Sequence, residues 1–139
     1  MSHWTKVKGT KILDKDCFIQ AAKELGFKNI LQNSQIKGWR GMTKNADVVL
    51  KLTSGYDIGL VYNEKENCYN IEADFYGISK SVLPYEFQEY LSTSDKNEIA
   101  EVLGKFTNKH DILKQANTYM VNQNEIDEKG NVILELESY

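Results

Sequence analysis

The sequence predicts an α+β fold: an antiparallel sheet with helices packed on one face and a closing C-terminal hairpin. Two observations carry this. Between Asp47 and Tyr76, apolar and polar residues alternate with the period of a strand, in runs separated by short turn sequences. On either side of that block, from Asp14 to Gly26 and again beyond Gly77, apolar residues recur at helical spacing. Strands joined by short turns, with helices grouped outside them, form a layered sheet-and-helix architecture. The 139 residues suit a single domain, 1–139, and neither an internal repeat nor a Gly-, Ser- or Pro-rich linker divides them.

Taken in order, Trp4 to Ile12 reads as a first strand, with Trp4, Val7 and Ile12 as its apolar members. Asp14 is placed to cap a helix in which Phe18, Ala21, Ala22 and Leu25 share one face, and Gly26 supplies a left-handed stop. Strands follow over Asn29–Gln32, Gln35–Gly41, Asp47–Leu52, Tyr56–Tyr62 and Cys68–Tyr76, with Thr53-Ser54-Gly55 and Asn63–Asn67 as turns. The last three form an antiparallel meander. Pro84 opens a helix through Phe87 and Leu91; Ser94 or Asp95 caps a second with Ile99, Val102, Leu103 and Phe106. Asp111 caps a third with Ile112, Leu113, Ala116 and Met120. Val121–Ile126 and Val132–Leu136 read as the terminal hairpin across Glu128–Asn131. The expected core sets Phe18, Ala22 and Leu25 against Val48, Leu50, Ile58, Leu60 and Ile71.

Composition excludes several classes. With 41% hydrophobic and 27% charged residues the chain has enough apolar surface to fold. One proline excludes collagen-like and polyproline readings. No apolar run approaches the roughly 18 residues of a membrane span, and MSHWTKVKGTK lacks a signal-peptide core. The expectation is a soluble cytoplasmic protein with no membrane partner, with the plastid stroma or an infected host cell as special cases. The net charge of −3 is uneven: residues 1–60 carry ten basic side chains against five acids, and residues 61–139 seven against fifteen. Arg40 is the only arginine; the rest of the basic set is lysine. A planar bidentate fork is the one thing lysine cannot supply.

No phosphate loop, HExxH, paired CxxC or GxSxG occurs, so no cofactor and no metal are expected. Cys17 and Cys68 read as small core residues. Two carboxylates lie inside strand-like runs, Asp57 between Tyr56 and Ile58 and Asp74 between Ala73 and Phe75. Two readings stand open. In one, Arg40, Asp57 and Asp74 form a polar site beside Trp39 and Tyr76, because buried carboxylates need a partner and Arg40 is the strongest available. In the other, all of them face water on the outer side of an antiparallel sheet.

The strings MSHW, ELGF, GWRG, NADVVL, YDIGLVYN and EADFYG, and the closing DEKGNVILELES, occur in that order. As an ordered set they resemble the uncharacterised hypothetical chloroplast reading frame 35 family of cyanobacteria, red-lineage plastids and tailed phages. The matching positions are Ser2, His3, Gly38, Arg40, Gly41, Asp57, Gly59, Asp74 and Gly77. The resemblance implies a setting and adds His3 to the candidate residues; it implies no activity.

Three function classes follow. The first is a non-catalytic binding or regulatory protein acting through an aromatic and basic sheet surface, with a protein partner or a small anionic ligand held by His3, Trp39, Arg40, Asp57, Asp74 and Tyr76. Tyr and Trp give contact area at low entropy cost. The second is a single-stranded nucleic-acid-binding module, favoured by the basic first half and disfavoured by the net charge. The third, an enzyme using Arg40, Asp57 and Asp74, leaves most catalytic roles unfilled.

Overall fold

The computed structural model describes Thr5–Lys6 and residues 11–38, 41–93 and 95–127, with side chains over 11–38, 41–93 and 95–118. The elements are β1 (Thr5–Lys6), α1 (Lys15–Glu24), β2 (Ile30–Lys37), β3 (Thr43–Leu50), β4 (Ile58–Asn63), β5 (Cys68–Ala73), α2 (Tyr85–Gln88) and α3 (Asn97–Asp127). Two short 3₁₀ turns, Phe75–Gly77 and Lys80–Val82, lie between β5 and α2. The strands form one antiparallel sheet in the order β1-β5-β4-β3-β2.

The end signals of α1 work as the residues dictate. Asp14 accepts a hydrogen bond from the Asp16 backbone N–H at 2.8 Å. At the other end Gly26 adopts φ +96°, its N–H donates to the Lys23 carbonyl, and the Phe27 N–H reaches back to Ala22. That double closure satisfies two carbonyls the helix would otherwise leave open, and it turns Phe27 into the core beside Ala22. α1 and α3 cover one sheet face. Phe18, Ala22 and Leu25 meet Val48, Leu50, Ile58, Leu60 and Ile71 there, as expected, joined by Ile99, Ala100 and Leu103.

The opposite face is also covered, and this positions the site. β2 and β3 form a long hairpin whose register holds from Ile30↔Leu50 to Lys37↔Thr43, with Asn33 at φ +51° in its middle. Asparagine enters the left-handed region more readily than most residues. In a flat sheet Ile36, level with Lys44, would lie about 17 Å along β3 from Val49, the partner of Gly59. Instead the Ile36 side chain reaches to within 2.8 Å of where a Cβ on Gly59 would stand. The far half of the hairpin therefore folds back over the outer face. It builds a second small core of Ile36, Ala46 and Val49, with Val61 against it.

Several expected elements change. Asn29–Gln32 and Gln35–Gly41 are parts of one strand, β2, which ends at Lys37. The second and third helices are one helix of 31 residues, and Val121–Ile126 is its last turns, not a hairpin strand. No glycine or proline interrupts residues 105–127, and a helix once nucleated gains a hydrogen bond with each residue added. The other expected hairpin strand, Val132–Leu136, lies outside the described residues, as do Ser94 and most of the first expected strand. Of the latter, Thr5–Lys6 pairs with β5 and Ile12 bridges Tyr69.

A buried carboxylate layer under the folded hairpin

The period of two puts Asp57, Gly59 and Val61 of the β4 segment on the outer face, with Asn70, Glu72 and Asp74 beside them on the β5 segment. The register pairs Ile58 with Ala73, so one step further places Asp57 opposite Asp74. Both are buried: Asp57 is 0% exposed and Asp74 2%. Glu72 is buried as well. The reading in which Asp57 and Asp74 sit on a solvated face is thereby overturned, because the folded hairpin supplies a cover that an open antiparallel sheet lacks.

Buried carboxylates demand partners. Asp57 Oδ2 accepts from Lys51 Nζ at 2.9 Å and from the Lys37 backbone N–H at 2.9 Å. The Asp57 N–H in turn donates to the Lys37 carbonyl at 2.9 Å. Lys37, the last residue of β2, is thus clipped to Asp57 from both sides. Asp57 Oδ1 is buried and has no hydrogen-bond partner among the described residues. Glu72 pairs with Lys44 of the hairpin. One ion pair, Lys44 to Glu72, and the Lys37–Asp57 clip hold the hairpin down, while Lys51, six residues before Asp57, neutralises the acid from across the β3–β4 connection.

Beyond Lys37 the chain turns tightly: the Gly38 N–H donates to Met42 O and the Gly41 N–H to Gly38 O. Trp39 and Arg40, within that turn, and His3 lie outside the described residues. On the neighbouring strand the Asp74 carbonyl accepts from the Gly77 N–H to form the 3₁₀ turn, and Tyr76 projects from it, 79% exposed. The ring of Tyr56 lies against Gly77, leaving no room for a side chain there. Of the expected site residues, the structure brings Asp57 and Asp74 together and sets Tyr76 on the turn that follows.

Sequence reasoning missed Lys51, Lys44 and Glu72. Lys51 directly follows the apolar run of β3, and Gly59 marks a close backbone approach; together they signal a covered outer face. At the bend, Asn33, Ser34, Gln35, Asn45, Ala46 and Asp47 line a polar groove of about 430 Å³. Asp47 there accepts from the Tyr62 N–H at 2.9 Å, and Tyr62 meets Tyr69 edge-on at 5.1 Å. Burial, then the Asp47 charge, pushes the Tyr69 hydroxyl above its usual range. Cys17 and Cys68 are free and buried, and burial pushes the Cys17 thiol up, as suits a core residue. Among the described residues no group of three or more His, Cys, Asp or Glu side chains is arranged to hold a metal ion. Nor is any described helix long and apolar enough to cross a membrane.

Fold and site together define a small α+β domain with a sheet packed on both faces and acids buried beneath its own hairpin. The chain belongs to the family described as protein of unknown function (DUF1257), whose model matches residues 21–134. It is similar to the uncharacterized protein ycf35 of Guillardia theta, at 34% identity over 74 residues. That stretch is 53% of this chain and 56% of the relative, so the chain spans little more than half the length of the relative it matches. No solved structure matches it.

Proposed function

We propose that the protein is a non-catalytic binding or regulatory domain, and that it engages a protein partner or a small anionic ligand at the sheet end where the 38–41 turn meets Asp57, Asp74 and Tyr76. The observation that supports this reading is the two-sided clip between Lys37 and Asp57, which fixes Lys37, two residues before Trp39 in sequence, against a buried carboxylate. An exposed aromatic, Tyr76, stands on the neighbouring turn. In this reading Trp39, Tyr76 and His3 supply contact surface, Arg40 supplies the anion-binding fork, and Asp57 and Asp74 orient it.

The test is a thermal-shift screen of the full chain against nucleotides and phosphorylated or carboxylated metabolites, run beside Arg40→Lys and Tyr76→Ala. A ligand at 100 times its dissociation constant stabilises the fold by about 2.7 kcal/mol. Arg40→Lys is expected to keep the wild-type unfolding midpoint and to bind any hit more weakly. A hit that both variants bind as tightly as wild type places the site elsewhere. Salt-sensitive binding of single-stranded oligonucleotides instead of small anions would favour a nucleic-acid module.

A further inference from the structure

Two lysines cross between the same two segments in opposite directions. Lys96, immediately before α3, donates from Nζ to the Ile78 carbonyl at 2.6 Å. Lys80, on the second 3₁₀ turn, donates from Nζ to the Leu91 carbonyl at 3.4 Å. A carbonyl takes one of the three ammonium hydrogens and none of the charge. Among the described residues neither lysine is paired with a carboxylate, whereas Lys44, Lys51, Lys109 and Lys114 each end on one.

The acids at this end are committed elsewhere. Asp95 Oδ1 accepts from the Asn97 N–H at 2.9 Å. Glu98 accepts from the N–H and the hydroxyl of both Ser92 and Thr93, at 2.8–3.2 Å. The N–H groups of Glu98 and Ile99 donate to the Asp95 and Lys96 carbonyls, so the first turn of α3 is closed by its own neighbours. The positive charge that remains unmatched is that of the two lysines.

Both lysines line a cavity of about 450 Å³ between the 3₁₀ turn and the start of α3, with Asp95 at its rim. That is room enough for a small organic molecule. Half-buried Leu91 forms one wall, the buried Ile99 closes the floor, and the lysine stems are apolar up to their ends. Apolar walls lower the local dielectric and strengthen the attraction of an ammonium group for an anion. The carbonyl ties hold both side chains in place, so little rotamer freedom is lost on binding.

We propose that this cavity binds a small organic anion, its headgroup between the Lys80 and Lys96 ammonium groups and its hydrocarbon body against Leu91. The site shares no residue with the one at Asp57 and Asp74 and stands whether or not that one binds a ligand.

The test is calorimetric titration of the full chain with hexanoate and hexyl phosphate, with hexanol and hexylamine as the neutral and cationic counterparts. Dissociation constants of about a millimolar are expected for such small probes. At least one anion should bind about tenfold more tightly than hexanol, hexylamine should not bind, and the tighter anion identifies the headgroup. Lys80→Gln and Lys96→Gln should each weaken that anion about tenfold. Should Lys96→Gln lower the unfolding midpoint through its lost tie to Ile78, Lys80→Gln, whose tie is long, decides alone. Anions that bind no better than hexanol, or equally well to wild type and Lys80→Gln, would overturn the proposal. So would binding that Arg40→Lys weakens and Lys80→Gln does not, which places the anion at the Asp57 end.

Discussion

Removing the Asp57 carboxylate is expected to release the folded hairpin. The side chain is wholly buried, and its Oδ2 serves both Lys51 Nζ and the Lys37 backbone N–H. Breaking a buried ion pair from one side costs about 3–5 kcal/mol, because the remaining charge stays desolvated. Lys51 is a quarter exposed and regains part of its hydration, which puts its share near the lower end of that range. The Lys37 N–H adds about 1 kcal/mol as an unsatisfied donor. Asp57→Ala should therefore lose about 3–4 kcal/mol. Asp57→Asn, which keeps an acceptor for Lys37 and loses only the charge, should lose about 2 kcal/mol, within the range for charged hydrogen bonds. The assay is urea unfolding followed by tryptophan fluorescence, with Lys51→Met and the double variant completing a cycle. Coupling of about 1–2 kcal/mol is expected, with the m-value unchanged. A loss below about 1 kcal/mol for Asp57→Ala would show that the acid does not hold the hairpin down, and strict additivity with Lys51→Met would show that Lys51 does not stabilise the buried acid.

Gly77→Ala puts a methyl group 1.6 Å from Tyr56 Cε2, so the ring must leave; a loss of about 3 kcal/mol in denaturant is expected, partly restored by adding Tyr56→Ser. Leu25→Ala removes a fully buried side chain from the helix–sheet core and should cost about 2–5 kcal/mol by the same titration. Glu24 is held below the usual carboxylate range, first by the Lys109 hydrogen bond and then by His110. Its folded value being lowered, its contribution is complete above the unfolded value of about 4.3 and is lost as pH falls through the folded value. Glu24→Gln should therefore flatten the acid limb of a stability–pH profile below about pH 4, measured by urea midpoints.

The parts of the fold that were legible are those where local chemistry and tertiary packing agree. Asp14 and Gly26 terminate α1 with their own atoms, and Val48, Leu50, Ile58, Leu60 and Ile71 alternate because one side of each strand meets helices. In the sequence β2 reads as two pieces because Gln32-Asn33-Ser34 is a polar interruption. The register runs through it unbroken, the bend being absorbed at one asparagine. Asp111 reads as the start of a further helix for a similar reason, since a capping residue type in mid-helix has the same identity as a cap. Asp57 and Asp74 were found as unusual, yet their burial was not legible. It depends on Ile36 and Lys44 reaching back across the sheet, a contact between positions far apart along the chain. The adjoining apolar pair Val48-Val49 was the available signal, since consecutive buried residues mean a strand covered on both sides.

The order of strands has a consequence for how the molecule assembles and comes apart. β2 to β5 each pair with the strand next to them in sequence, so each pairing closes a short loop at small entropic cost. Thr5 meets Ala73 only across the whole intervening meander and α1. That closure repays its entropy last, and β1 is short, so folding should begin in the meander and end with the N-terminal strand. In native-state exchange the amides of Thr5 and Lys6 should then open at lower free energy than those of β4, which is flanked by β3 and β5. The first strand is a late clasp on a sheet that already has its register.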